Sequence, residues 1–332
     1  MPKIRFNGQS YDVTSGKTVL DVLLANGQDV ECGCKAGSCG SCAMRASGGP
    51  IPPESQRNLS HAQRERGVFL PCRCQPSGDL DICRVDEQSP QSQQKQWSAT
   101  ITDHRQLSES VVRIAMAQPD GFAFKGGQFI NIIRDDGQSR PYLLASVGGI
   151  EAHLDLHIRR VEDGDFSRWL CDDVKVGDPL SFSGPSGSCH YRAGRSSDGL
   201  LLICTGTGLA PMWAVLRDAM YQGHRGPIRL YHGGRDESTL YMIDTLRTMS
   251  ASRPNFKYFP VLKEQSAMPG FRLGTLEQAI STDFDSLDAW RVYIAGNPEM
   301  VRSVQKLAFL KGTRMNDLIA DPFVRAAAPV GV

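Results

Sequence analysis

The chain has 332 residues, room for two or three domains at about 150 residues each, and its 37 Lys and Arg against 36 Asp and Glu leave a net charge of +1. That balance speaks against a nucleic-acid-binding or polybasic membrane-surface protein, and 40% hydrophobic with 22% charged residues is a globular composition, not a disordered one. The longest apolar stretch, Gly199–Leu216, is interrupted by Gly, Thr and Pro, and Met1-Pro2-Lys3-Ile4-Arg5-Phe6 lacks the apolar core of a secretory signal, so no membrane span and a cytoplasmic location are expected.

In chain order, Lys3–Phe6 and Gln9–Thr14 read as strands around the hairpin dipeptide Asn7-Gly8. Val19, Leu20, Val22, Leu23 and Leu24 follow at helical spacing up to Gly27, which suits a C-terminal cap. Ser60 and Gln63 suggest a capping box for a short helix ending at Gly67. Ser89–Gln96 contains no apolar side chain and reads as a linker. Beyond it, Ala99–Thr102, Val111–Ile114, Phe129–Ile133 and Leu154–Ile158 are short alternating strands between Gly-rich turns, as in a small antiparallel barrel. From Leu200 the pattern changes. Leu200–Cys204, Ile228–His232, Tyr258–Leu262 and Arg291–Ala295 are apolar strands separated by helical stretches, the signature of βα units. The expected organisation is a Cys-rich α+β module at 1–88, a linker at 89–96, an antiparallel β-barrel at 97–195 and an α/β parallel-sheet domain at 196–332.

Seven of the ten cysteines (Cys32, Cys34, Cys39, Cys42, Cys72, Cys74 and Cys83) fall within residues 32–83. Cytosolic chains rarely hold disulfides, so such a cluster points to metal binding or redox work. Cys34-x4-Cys39-x2-Cys42 with a further cysteine downstream has the spacing of a [2Fe–2S] site. A structural zinc site usually takes two short knuckles, and only one is present. Gly33, Gly37, Ser38, Gly40 and Ser41 are small enough for a tight loop whose N–H groups turn toward bridging sulfides. The fourth ligand is Cys72 or Cys74. The 29 residues between Cys42 and Cys72, and Pro76 four positions after Cys72, resemble the plant-type ferredoxins. That resemblance implies a β-grasp fold with Cys72 as the ligand; the other six cysteines then read as small buried side chains.

A one-electron cluster cannot accept hydride, so the downstream motifs decide the function. Arg140-Pro141-Tyr142-Leu143 resembles the Arg-x-Tyr-Ser/Thr motif of the ferredoxin–NADP reductase-like flavoproteins, with Gly127-Gln128-Phe129 before it. His157-Ile158-Arg159-Arg160-Val161 then leads to Gly164-Asp165-Phe166-Ser167, similar to that family's Gly-x-x-Ser phosphate loop. The resemblance implies that Arg140 neutralises the FAD diphosphate, Tyr142 packs on the flavin, His157, Ile158 and Arg159 line the site, and amides near Ser167 hold phosphate. Leu143 stands where the family offers a hydroxyl to flavin N5, so a backbone amide takes over that bond or N5 is tuned differently.

Leu201–Pro211 reads as a strand, a Gly loop and a helix start, and Gly206-Thr207-Gly208-Leu209-Ala210-Pro211 resembles the family's Gly-Thr-Gly-x-Ala-Pro pyrophosphate motif. Tyr231–Arg235 through Leu240-Tyr241 resembles the loop that meets the adenosine ribose, with Arg235 and Asp236 as its charged contacts. Ala295-Gly296-Asn297-Pro298 resembles the Cys-Gly-Pro-Pro segment beside the nicotinamide, with Ala295 in place of the cysteine, and Phe323 matches a C-terminal aromatic near the flavin. Asp236 and Glu237 against Arg235 favour NADH over NADPH.

In this order the modules resemble the reductase components of bacterial multicomponent oxygenases, such as the benzoate and terephthalate dioxygenase and phenol hydroxylase reductases. The resemblance implies electron flow from NADH through FAD and a [2Fe–2S] cluster to a terminal oxygenase component, with no catalytic acid or base. Two other readings stand beside it: the reductase partner of a sugar-deoxygenating dehydratase, and a redox sensor without turnover.

Overall fold

A computed structural model describes residues 2–28, 30, 42–57, 59, 61–85, 96–264 and 269–323. The chain forms two compact units, Met1–Gln93 and Gln94–Val332.

In the first unit, β1 (Lys3–Phe6) and β2 (Gln9–Asp12) pair antiparallel across Asn7 and Gly8, whose φ of 51° and 73° match the right-handed strand twist of a hairpin. The second strand stops at Asp12 rather than Thr14, because a turn closed by Lys17 N–H donating to Thr14 O bends the chain toward the helix. In α1 (Val19–Ala25) the Thr18 hydroxyl accepts from Asp21 N–H and the Asp21 carboxylate accepts from Thr18 N–H. The other end closes with Gly27 N–H on Leu24 O and Gln28 N–H on Leu23 O, Gly27 being at φ 72°. Val19, Leu20, Val22 and Leu23 on this helix pack with Ile4, Phe6, Phe69, Leu70 and Leu80. The remaining elements are β3 (Met44–Gly48), α2 (His61–Glu65), β4 (Val68–Phe69) and β5 (Leu80–Arg84). The sheet order β2-β1-β5-β3-β4, with β1 and β5 parallel at its centre, is a β-grasp. Ser60 of the expected capping box and the loop carrying Cys32, Cys34 and Cys39 lie outside the described residues.

The second unit opens with β6 (Gln96–Ser108), β7 (Val111–Ala117), β8 (Phe129–Ile133), β9 (Ser139–Leu143) and β10 (His153–Arg159), followed by α3 (Asp165–Arg168) and β11 (Pro179–Ser186). The antiparallel order is β10-β7-β6-β11-β8-β9, and a bridge between Leu144 and Leu156 brings its two edges together as a barrel. Gln96, expected in the linker, is instead the first residue of β6, opposite Ser183. Backbone pairing accepts a polar strand start that composition reads as linker. The rest of the expected linker, 89–95, lies outside the described residues.

The chain continues through β12 (Gly199–Thr205), α4 (Leu209–Tyr221), β13 (Ile228–Gly234), α5 (Ile243–Ser252), β14 (Phe256–Leu262), β15 (Arg272–Leu273), α6 (Leu276–Asp283), β16 (Trp290–Gly296), α7 (Pro298–Leu310) and β17 (Leu318–Pro322). These strands form a parallel sheet in the order β15-β14-β13-β12-β16-β17. Leu200, Leu202 and Cys204 join the core on one face, and Leu201 and Ile203 the core on the other. Burial on both faces explains why β12 is continuously apolar. The strand order reverses between β12 and β16, which opens a ligand crevice at their carboxyl ends.

Candidate functional site

Cys42, just before β3, and Cys72, in the turn Pro71–Arg73, are both buried, with their Sγ atoms 3.3 Å apart. Two thiolates at about 2.3 Å from one tetrahedral metal stand roughly 3.8 Å apart, whereas a disulfide needs about 2.05 Å. The pair is therefore not a disulfide, and it stands near enough to that metal-bound separation for both thiolates to reach one iron. Cys74, two residues on, is fully buried, and Cys83 receives Arg45 Nη2 at 3.5 Å. The expected ligands Cys34 and Cys39 lie outside the described residues.

In the barrel, β9 carries Arg140, Tyr142 and Leu143 on one strand, all half-buried. The Tyr142 ring lies parallel to Phe166 of α3 at 6.4 Å, and the Arg140 guanidinium sits 5.7 Å from the same Phe166 ring. Arg140 donates to Ser139 O at 2.8 Å and has no carboxylate partner among the described residues. Its neighbours differ: Arg134 is held by Asp136 and Asp165, and Arg160 by Asp172. Arg159 likewise meets no carboxylate among the described residues, and its Nη1 lies 3.8 Å from where a Cβ on Gly206 would stand. Two uncompensated guanidinium groups, one on β9 and one at the β12 loop, fit phosphate groups.

The Gly164–Ser167 loop is crowded. Ser167 Oγ donates to Gly164 O at 3.0 Å and accepts Val161 N–H at 3.2 Å, and a Cβ on Gly164 would stand 2.7 Å from that oxygen. The Ser167 hydroxyl thus shapes the loop, and Phe166 is anchored in the barrel core. His157 and Ile158 are buried, Ile158 within the same core, so their side chains face away from solvent.

At the switch point, Gly206–Gly208 form a tight turn with Gly206 at φ 54°, leading into α4. A Cβ on Gly208 would overlap the Ala295 carbonyl, and one on Gly296 would overlap Thr205. Asn297 N–H donates to Thr205 Oγ1 at 3.0 Å, tying the two loops together. The Asn297 carboxamide caps α7 by accepting Glu299 N–H at 2.9 Å, with Pro298 in the first turn. Phe323 N–H donates to Gly296 O at 2.8 Å, placing the C-terminal aromatic against the same loop. At the end of β13, Arg235 Nε donates to Asp236 Oδ2 at 2.9 Å, and the Ser238 and Arg235 bonds hold the Asp236 carboxyl below its usual range.

Three family descriptions match in chain order: a 2Fe-2S iron-sulfur cluster binding domain at residues 4–77, an oxidoreductase FAD-binding domain at 98–191 and an oxidoreductase NAD-binding domain at 202–306. A naphthalene 1,2-dioxygenase/salicylate 5-hydroxylase ferredoxin–NAD(P)+ reductase component from Ralstonia sp. is 30% identical, covering 93% of this chain and 94% of its own. The toluate 1,2-dioxygenase electron transfer component of Pseudomonas putida is also 30% identical, over 95% of both chains. The chain belongs to this family of iron–sulfur flavoprotein reductases. Among solved structures, the Amycolatopsis cytochrome P450 reductase GcoB is similar at a TM-score of 0.66 and 25% identity, covering 97% of this chain and 99% of that one. The reductase is thus an NADH-dependent oxidoreductase that uses FAD and a [2Fe–2S] cluster. Among its described residues no helix is long and apolar enough to cross a membrane.

Sequence reasoning missed how the reductase joins its barrel to its nucleotide lobe. His157 Nδ1 and the Tyr241 hydroxyl lie 3.0 Å apart, both buried, and the Tyr241 ring meets His232 edge-on at 6.0 Å. His232 Nδ1 in turn lies 3.2 Å from the Tyr258 hydroxyl. Burial pushes both histidines down to about 3 and so keeps them neutral. Arg217 of α4 reaches across to Glu151 and to Ala145 O. Tyr241, expected at the ribose loop, is therefore an inter-lobe contact. Only the aromatic and histidine residue types hinted at this, because their partners lie 84 and 26 positions away.

Proposed function

We propose that the reductase delivers electrons to the terminal component of an oxygenase system acting on an aromatic or similar compound, in the cytoplasm and independently of nucleic acid or membrane. The single observation that carries this is near-complete coverage, in both directions, of relatives that are themselves reductase components of dioxygenase systems. FAD, when bound, would supply the junction between a two-electron hydride donor and a one-electron [2Fe–2S] carrier.

In this reading the chain supplies placement and charge. Cys34, Cys39, Cys42 and Cys72 hold the cluster, the 3.3 Å approach of the last two supporting Cys72 over Cys74. Arg140 and Arg159 neutralise cofactor phosphates, and the Gly164–Ser167 loop presents backbone amides to one of them. Tyr142 and Leu143 flank the flavin, and Phe323 shields it. The Gly206, Thr207 and Gly208 backbone meets the NADH pyrophosphate, Gly296, Asn297 and Pro298 border the nicotinamide, and Arg235 and Asp236 face the ribose.

A second reading, a haem oxygenase as acceptor, is favoured by the likeness to a cytochrome P450 reductase. The test is NADH oxidation coupled to product formation with purified candidate acceptors, first a non-haem dioxygenase and then a P450. Cytochrome c reduction by NADH is expected in either case. Its failure in flavin- and iron-loaded protein would overturn the electron-transfer reading.

A further inference from the structure

Arg235 is the basic side chain that could welcome a 2′-phosphate at the end of β13, yet it is not left to Asp236 alone. The chain leaving β14 runs beside it: Lys263 N–H donates to Gly234 O at 3.1 Å, and Glu264 N–H donates to Arg235 O at 2.9 Å. These backbone bonds fix Glu264 next to Arg235 whatever rotamer either side chain takes. The Glu264 carboxylate stands 3.7 Å from Arg235 Nε, the same nitrogen that lies 2.9 Å from Asp236. With Glu237, three carboxylates surround this loop against Arg235 and Lys263.

We propose that Glu264 is a specificity-determining residue for NADH: by engaging Arg235 from the neighbouring strand it withdraws the loop's arginine from a 2′-phosphate. This rests on the reading that the end of β13 meets the adenosine ribose. Exposed ion pairs contribute little to stability, so Glu264 matters to the reductase through charge at a binding site, not through folding. A free 2′-hydroxyl is indifferent to whether Arg235 is engaged, whereas a 2′-phosphate, carrying up to two negative charges, must compete with two carboxylates for one guanidinium.

The experiment compares kcat and KM for NADH and NADPH in dye reduction by the flavin-loaded wild type and by Glu264→Gln, Arg235→Ala, the double variant and Asp236→Ser. Glu264→Gln is expected to narrow the NADH-to-NADPH ratio of kcat/KM by about three- to tenfold, through a lower KM for NADPH rather than a higher kcat. In the Arg235→Ala background the same substitution is expected to do nothing, because the arginine it releases is gone. An equal gain in both backgrounds would mean direct repulsion by Glu264 and overturn the proposal. No effect of Glu264→Gln, while Arg235→Ala or Asp236→Ser moves the ratio, overturns it too but leaves the ribose loop where it is. If none of the four variants moves either KM, the ribose-loop reading itself fails.

Discussion

Lowering the pH from 7.5 to 5.5 acts directly on the buried seam between the barrel and the nucleotide lobe. His157 and His232 are held neutral by burial, their folded values near 3 against the usual 6.5. Across that gap the unfolded chain binds protons that the folded chain refuses, so stability is full above pH 6.5 and falls as the pH drops toward 3. Between pH 7.5 and 5.5 each histidine costs roughly 1–2 kcal/mol, about 3 kcal/mol for the pair. His190 and His224, also lowered by burial, act in the same direction. Asp155, whose carboxyl burial pushes upward, opposes them nearer the carboxylate range. Trp97, Trp169, Trp213 and Trp290, the four tryptophans of the chain, all lie in the second unit, so their fluorescence reports on that unit alone. The urea midpoint is expected to fall by about 1 M over this interval. His157→Phe leaves the Tyr241 hydroxyl without its partner and should cost about 1–3 kcal/mol at pH 7.5, while reducing the pH dependence by one proton. Superimposable wild-type curves at the two pH values, or an undiminished slope in His157→Phe, would refute the reasoning.

Other outcomes test the cofactor sites. Cys72→Ser should abolish or reshape the visible cluster spectrum while Cys74→Ser keeps it, and flavin reduction by NADH should survive in both; the opposite spectral result would move the fourth ligand to Cys74. Arg140→Ala should weaken FAD retention about 10- to 100-fold, the loss of a charge-assisted phosphate contact, and unchanged affinity by flavin titration would remove Arg140 from the site. Gly208→Ala should raise the KM for NADH or destabilise the lobe, since its Cβ would overlap the Ala295 carbonyl; wild-type KM and urea midpoint together would contradict that. Iron and flavin analysis should return about two irons and one FAD per chain, and zinc in their place would overturn the cluster assignment.

Contiguous spacing was enough to determine much of this protein. The Asn7-Gly8 hairpin, the capped helix before Gly27, the alternating barrel strands and the apolar β12 all follow from short-range rules, because turn geometry, strand alternation and helical period act over a few residues. The cysteine interval and the Gly206–Gly208 turn were legible for the same reason. Only the tertiary structure brought His157 to Tyr241 across 84 positions. It also sorted the arginines: Arg134 and Arg160 are neutralised by aspartates, whereas Arg140 and Arg159 meet no carboxylate among the described residues. Glu264 could not be read beside Arg235 until the parallel pairing of β13 with β14 was known. A side chain's charge is written in the sequence, but whether that charge is taken up by a neighbour or left for a ligand depends on sheet order and register, which no local pattern encodes.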